Sequence, residues 1–408
     1  MRVRNDWRKR ILIGVMSATA VGLASAAWAQ TRQDVLAPPP VITFSNWREV
    51  GTYDWATEYT IEFPSPVPSG DAKNDVVPLR IFLPEGGKRP LPLVLITHYW
   101  GATDLRAEVA LAQELGKKGI ASAVLTLPYH LSRTPKGARS GELAIQPDPA
   151  ALRRTTFQSV QDMRRALDFL SSRPEFRKDK IGLAGTSLGA IVSALTYAID
   201  PRITEASFIL GGIDLADLLT SSSRVVLARE ELRRKGYDLP KLTEELAPIE
   251  PANYLPRSQP GNAFVVMAKY DTVIPSKNSN LLVEKLPGAS TLSIDTGHYG
   301  GIFVQRRLQR ETSNFFAAKF TNSEYNPPAR LYAPTIRLGV TADPRGLDVG
   351  AGLDLWTLDP ERKALVTAFL SPRGPSVWLH RQIGSGFSLG AFAAPSRVGV
   401  GILWSSVL

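Results

Sequence analysis

The sequence contains no cysteine. That absence excludes disulfides, thiolate metal sites and cysteine nucleophiles together. Histidine is scarce as well. His98, His130, His298 and His380 are the only four in 408 residues, too few for a histidine-rich metal site. Beyond the N-terminal segment, no apolar run is long enough to cross a membrane as a helix. No basic run is interleaved with aromatics in the manner of a nucleic-acid groove, so no nucleic-acid partner is expected. What the chain does have is apolar material: 44% hydrophobic residues against 21% charged, enough for one large domain or two.

The first residues form a pattern of their own. "MRVRNDWRKR" is basic, "ILIGVMSATAVGLASAA" is apolar and small, and "AWAQ" closes it. This order predicts a secretory signal peptide cleaved after Ala29, with a retained membrane anchor as the alternative. A secreted or periplasmic mature chain is therefore expected. Residues 1–29 carry a net charge of +4 (Arg2, Arg4, Arg8, Lys9 and Arg10 against Asp6), so the whole-chain +10 falls to +6 after cleavage.

Residues 30–74 read as a Pro-rich lead-in with one or two strands around "TEYTIEF". From 75 to 320 strand and helix patterns alternate. "RPLPLVLITHYWG" is a near-continuous apolar run closing on Gly101, as in a strand buried on both faces. "DLRAEVALAQELGKKG" has helical spacing and a Lys-Lys-Gly stop. "IASAVLTLP" is the next strand. Phe157, Val160, Met163, Leu167 and Leu170 recur every three or four residues, which predicts an amphipathic helix. "KIGLAG" predicts a strand and "SLGAIVSALTYAI" a helix; "ITEASFILGG", "GNAFVVMAKYD" and "STLSID" predict strands, and "GIFVQRRLQRETSNFFAAKF" a closing helix. The alternation predicts an α/β class with a mostly parallel sheet and helices on both faces.

Two segments depart from that rhythm. An insertion at about 213–261 carries helical pieces and reads either as a cap over the carboxyl end of the sheet or as a plain connecting hairpin. Residues 321–334 read as a linker. Residues 335–408 then show period two, with turns at "DPRG", "DPER", "SPRGP" and "APS". They predict a small antiparallel β domain of about six strands. The usual single-chain outer-membrane barrel has about eight or more. A soluble accessory sheet is therefore expected, with membrane association through this region as the lesser alternative.

The chemistry centres on "GLAGTSLGA". G-T-S-L-G between a predicted strand and helix is the pattern of a nucleophile on a strained turn, with Gly185 and Gly189 giving room for Ser187. A serine hydroxyl needs a base, and a neutral imidazole suits neutral pH. His298, in "SIDTGHYGG" after the last apolar strand, is the first candidate and His130 the second. His380 lies in the β domain and reads as a surface or core residue. The base needs an acid to orient it. Asp271 in "VVMAKYDTVIP" is preferred over Asp295 and Asp214. For the oxyanion, one donor is the backbone N–H of Leu188 and the other that of Tyr99 or Trp100, in the loop after the early strand. His98 is expected to prop that loop.

With H-Y-W-G, G-T-S-L-G, Y-D-T-V-I-P and T-G-H-Y in this order, residues 75–320 resemble the α/β-hydrolases, most closely the secreted esterase, dienelactone-hydrolase-like or acyl-peptidase-like branch. The order Ser187, Asp271, His298 is that of the family. The resemblance implies a serine carboxylesterase acting on a small-molecule ester through an acyl-enzyme, with no cofactor and no metal. Dienelactone hydrolases commonly use a cysteine nucleophile, so the lack of cysteine argues against that activity. A serine peptidase of the acyl-peptidase type is the enzymatic alternative. A non-catalytic envelope-binding protein is the alternative of a different class. Acyl and alcohol specificity are not written in these motifs.

Overall fold

The apolar run closing on Gly101 forms the strand β4 (Leu91–Thr97), buried along nearly its whole length. Its residues alternate between two core layers: Leu93 and Leu95 enter one, Val94 and Ile96 the other. That double burial makes the sheet the middle of a three-layer sandwich. A computed structural model describes residues 35–86, 89–255, 261–332, 336–358, 364–383 and 387–405. The leader expected at residues 1–29 lies outside the described residues.

The sheet has ten strands. Besides β4 they are β1 (Arg48–Thr52), β2 (Ala56–Pro64), β3 (Val76–Pro84), β5 (Ala121–Leu125), β6 (Phe176–Thr186), β7 (Ile203–Ile209), β8 (Ala263–Ala268), β9 (Ser290–Asp295) and β10 (Arg330–Tyr332). The spatial order is β1-β2-β3-β5-β4-β6-β7-β8-β9-β10. Pairing is antiparallel from β1 to β5 and parallel from there to β10. One face is covered by α2 (Pro149–Ser172), α3 (Leu188–Ile199) and α7 (Ser276–Glu284) through Met163, Leu167, Leu170, Ala194 and Leu282. The other is covered by α1 (Arg106–Gly116) and α8 (Gln305–Phe320) through Leu111, Leu115, Leu308 and Phe316. The start of α2 is fixed locally. Asp148 accepts hydrogen bonds from the N–H groups of Ala150 (2.8 Å) and Ala151 (3.3 Å), and Pro149 opens the first turn.

The sheet extends further at both ends than the sequence pattern indicates. In the 30–74 stretch β2 is the strand expected around "TEYTIEF" and β1 adds an edge strand before it, and β10 falls in the 321–334 stretch expected as a linker. β1 is an almost wholly exposed edge, so it shows no alternation. β10 is three residues long, too short for a period, yet Leu331 is buried in the sheet core. The closing helix also starts later than its pattern: residues His298–Val304 form a 3-10 turn before α8 begins.

The insertion folds as α4 (Leu215–Ser221), α5 (Val226–Arg234) and α6 (Leu239–Leu246) with short 3-10 turns. Leu219, Leu232, Leu242 and Leu246 share a core with Leu152 and Val160 of α2 and Leu195 of α3. The segment is thus packed onto the body by apolar burial.

The last six strands form a closed antiparallel barrel: β11 (Ile336–Asp343), β12 (Gly346–Thr357), β13 (Ala364–Ser371), β14 (Gly374–Gln382), β15 (Phe387–Ala394) and β16 (Arg397–Ser405). β11 closes it against β16, with Val340 opposite Ile402. Phe369, Trp378, Phe392 and Leu403 fill one layer of the interior. A second layer is polar. There Arg337 pairs with Asp354 (2.9 Å), and the Thr367 hydroxyl donates to Asp354 (2.6 Å) and lies 2.7 Å from His380 Nε2. His380 is therefore an interior barrel residue. Among the described residues, no helix is long and apolar enough to cross a membrane.

Candidate functional site

Ser187 stands between the end of β6 and the start of α3, with φ 53° and ψ −114°. A left-handed φ at a residue with a side chain stores strain of about 1–3 kcal/mol, which the surroundings must hold in place. They do so through Ser187 N–H, which donates to the Ile209 carbonyl at 2.8 Å. The two glycines of the motif are required by close approach. A Cβ on Gly185 would lie 2.4 Å from the Gly189 carbonyl oxygen, and one on Gly189 would lie 2.6 Å from the carbonyl oxygens of Thr97 and His98.

The structure brings Ser187, His298 and Asp271 together from three strand ends. Ser187 Oγ lies 3.0 Å from His298 Nε2. His298 Nδ1 lies 2.6 Å from Asp271 Oδ2. The other carboxylate oxygen, Oδ1, accepts from the N–H groups of Val273 (2.8 Å) and Ile274 (2.7 Å). An ionised carboxylate only accepts, so His298 Nδ1 carries the proton and Nε2 is left to accept from the serine hydroxyl. The three side chains are largely buried, which strengthens each of these contacts.

The rival acids are engaged elsewhere. Asp214 caps α4 by accepting from the N–H of Asp217. Asp295 pairs with Arg330 of β10. His130 accepts from the N–H of Gly101 at 3.0 Å. His98 Nε2 accepts from the N–H of Leu127 at 3.0 Å, and its Nδ1 donates to the Tyr99 carbonyl at 2.9 Å. Burial and neighbouring positive charge hold both imidazoles neutral, with His98 lowered to about 3 and His130 to about 4. They serve as hydrogen-bonding struts of the loop at 98–101. Trp100 fastens that loop further by donating from Nε1 to the Gly141 carbonyl (2.7 Å), and Gly101 takes φ 75°. Among the described residues, no acceptor is found for the backbone N–H of Leu188, Tyr99 or Trp100. These amides are free to receive negative charge.

Ser187 lies between two cavities. The larger, about 700 Å³, is lined by His298, Tyr99, Glu108, Leu111 and Phe303, and by Ile336, Arg337 and Gln382 of the barrel. The smaller, about 110 Å³, is lined by Leu188, Leu152, Ile191, Leu219, Leu246 and Ile249. Trp100 and Arg224 line both. The Arg224 guanidinium lies 4.8 Å over the Trp100 ring and donates to the Tyr299 hydroxyl, bridging the insertion to both sides of the serine. No sequence signal marked Arg224, because it sits in a short 3-10 turn with no periodicity around it. Glu108 was equally hidden: as a charged residue in a first helical turn it reads as solvent-exposed, yet it is buried. Among the described residues, no group of three or more His, Asp or Glu side chains is arranged to hold a metal.

No protein-family model matches the chain. A stretch of 91 residues, 22% of this chain, is 26% identical to an uncharacterised protein, YdjC, of Bacillus subtilis (strain 168), covering 78% of it. Among solved structures, an acetyl xylan esterase from Paenibacillus sp. R4 superimposes with a TM-score of 0.55 at 18% identity, over 70% of this chain and 92% of that one. Acetyl xylan esterase 1 from Thermoanaerobacterium sp. JW/SL YS485 does so with a TM-score of 0.51 at 14% identity, over 69% and 93%. With this sheet order, the serine on its strained turn after β6 and these structural neighbours, the chain has the α/β-hydrolase fold, extended by a C-terminal antiparallel barrel.

Proposed function

We propose that the protein is a serine carboxylesterase working through an acyl-enzyme on Ser187. The observation that carries this reading is the hydrogen-bonded relay from Ser187 Oγ through His298 to Asp271, built on a strained turn. His298 Nε2 takes the hydroxyl proton as Ser187 Oγ attacks the ester carbonyl carbon. The oxyanion is received by the N–H of Leu188 and that of Tyr99 or Trp100, each worth about 3–4 kcal/mol in such sites. His298 then gives the proton to the leaving alkoxide as its bond to the acyl carbon breaks. Water, deprotonated by the same imidazole, attacks the acyl-enzyme; the acid leaves and Ser187 regains its proton. Asp271 holds the ring in the correct tautomer and offsets the imidazolium charge.

The two cavities take the two halves of the ester. The leaving oxygen must reach His298, and His298 lines only the large cavity, so the alcohol lies there and the acyl chain enters the small one. The small cavity measures about 110 Å³ against about 700 Å³ for the large one, so it is the tighter of the two. Short acyl groups are therefore the substrates of this reading, and the acetyl xylan esterases among the structural neighbours support it. The leader pattern of residues 1–29 supports an exported enzyme.

The test is Ser187→Ala. It is expected to lower hydrolysis of p-nitrophenyl acetate by at least about 10⁴-fold and to abolish labelling by a fluorophosphonate. Undiminished turnover in the variant removes Ser187 from the mechanism.

A further inference from the structure

The barrel combines a partly polar interior with an apolar outer wall. Its interior holds the Arg337–Asp354 pair with Thr367, His380 and Ser388. A second interior group near the opposite end joins Arg397 to Asp343 and Asp348. The outward positions are apolar. Leu347, Val349, Leu353 and Leu355 stand out from β12, and Val377 and Leu379 from β14. Phe387 and Leu389 stand out from β15, and Val398, Val400, Ile402 and Trp404 from β16. Most of these side chains are about half exposed or more. Register makes the surface continuous. Leu389 faces Ile402, Ile402 faces Val340, and Val340 faces Val349. Ala351 faces Leu370, completing the run from β12 to β13. Among the described outward positions Arg381 is the single charged residue, and it lies at the end near the hydrolase unit.

Soluble monomers rarely expose a contiguous apolar patch beyond a few hundred Å². This one encircles the barrel. A second copy or a protein partner would cover one side of a cylinder and leave the rest in water; hydrocarbon covers all sides at once. Closure is the other requirement, because a sheet in lipid must leave no unpaired edge, and the β11–β16 pairing leaves none. From Leu347 to Leu355 the outward row of β12 runs roughly 27 Å along the strand at about 3.4 Å per residue. With a tilt of about 40° the apolar band is roughly 20 Å tall, close to the 25 Å or so of transmembrane barrels. The rims match anionic headgroups, with exposed Arg345 in the β11–β12 turn at one end and exposed Arg381 at the other.

We propose that the C-terminal barrel seats in a lipid bilayer with its apolar outer wall against the acyl chains. It anchors the hydrolase unit at the membrane surface. Large aromatic side chains fill its interior, so it is a plug and no channel.

The test uses the full chain with vesicles of phosphatidylethanolamine and phosphatidylglycerol. The expected result is flotation with the vesicles that survives high salt, since salt strips only electrostatic adsorption. The absence of cysteine gives a clean second readout. An environment-sensitive dye at outward Leu389→Cys should shift to the blue on adding vesicles, and at Thr243→Cys, exposed on α6 of the hydrolase unit, it should not. The double variant Val349→Lys/Val400→Lys should float at least about tenfold less while keeping its activity on a soluble ester. Wild-type protein that stays at the bottom of the gradient overturns the proposal. So does a dye at position 389 already shielded without lipid in a discrete oligomer, which assigns the wall to contacts between copies. The readout is partition, so it stands apart from the ester reading. Ser187→Ala should float as the wild type does, and loss of its activity alone leaves the anchor untouched.

Discussion

At the residue scale, the relay and its neighbours owe their state to what surrounds them. Asp271 is held by two backbone N–H groups as well as by His298, so both oxygens are committed and the ring has one orientation. Glu108 is the opposite case. It is buried against the large cavity, and its Oε2 has no partner among the described residues. Burial, with a smaller push from Asp104, raises its carboxyl to about 7. The folded state therefore holds this proton up to about pH 7, whereas the unfolded chain gives it up near pH 4.5. Between those values the folded state binds more protons, so stability falls as pH rises through the interval. Glu108→Gln removes that dependence. The variant should gain on the order of 2–3 kcal/mol over wild type at pH 8 and differ little at pH 4. Urea denaturation of both proteins at the two pH values checks it; equal differences at both would show that Glu108 does not titrate in this range. Ser187, Asp271 and His298 were legible in the sequence because each follows an apolar strand and so must lie at one end of the sheet. Arg224 and Glu108 were not, since burial decides their roles and no pattern encodes it.

At the element scale, the insertion does more than connect β7 to β8. α4 and α6 place Leu219 and Leu246 on the small cavity beside Leu188, and their shared core with α2 fixes the cavity's depth. Sequence periodicity found the helical pieces but left cap and hairpin equal, because it reports which face of a helix is apolar and not what that face meets. The depth of the pocket has a direct consequence. Wild-type activity on a p-nitrophenyl ester series should be high on the shortest acyl chains and then fall steeply. Leu219→Ala should move the break outward by two or three carbons, and Ala144→Leu, at another buried wall residue of the same cavity, should restrict the enzyme to acetyl esters. A substitution of this kind in a core costs about 2–5 kcal/mol of stability, so the thermal midpoint of Leu219→Ala is to be measured beside its kinetics. A chain-length profile identical in all three proteins would place the acyl group in the large cavity instead.

At the scale of the whole molecule, two cores meet at one site. The hydrolase unit runs from β1 to β10 and buries its own sheet on both faces; the barrel has a separate aromatic core. Alternation along the chain sets the inner and outer faces of the barrel strands, but closure depends on the β11–β16 pairing, which joins the two ends of the domain and has no local signature. The two units touch the same cavity, since Ile336, Arg337 and Gln382 line it together with His298. Arg337 is committed to Asp354 and buried, so it offers a fixed wall more than a free charge. A chain ending after Tyr332 keeps β10 and its buried Leu331, whereas one ending at Phe320 loses a strand of the sheet. The Tyr332 truncation should therefore fold and keep kcat on small esters, because Ser187, His298, Asp271 and the amides of Leu188, Tyr99 and Trp100 all remain. It should lose the barrel wall of the large cavity, which the proposed mechanism gives to the alcohol, so KM for an ester with a bulky alcohol should rise by roughly tenfold while KM for p-nitrophenyl acetate stays within about twofold. Steady-state kinetics on the two esters decide it. If kcat falls for both in a truncated protein that still unfolds cooperatively in urea, the barrel supports the relay itself, and the two units form one catalytic body.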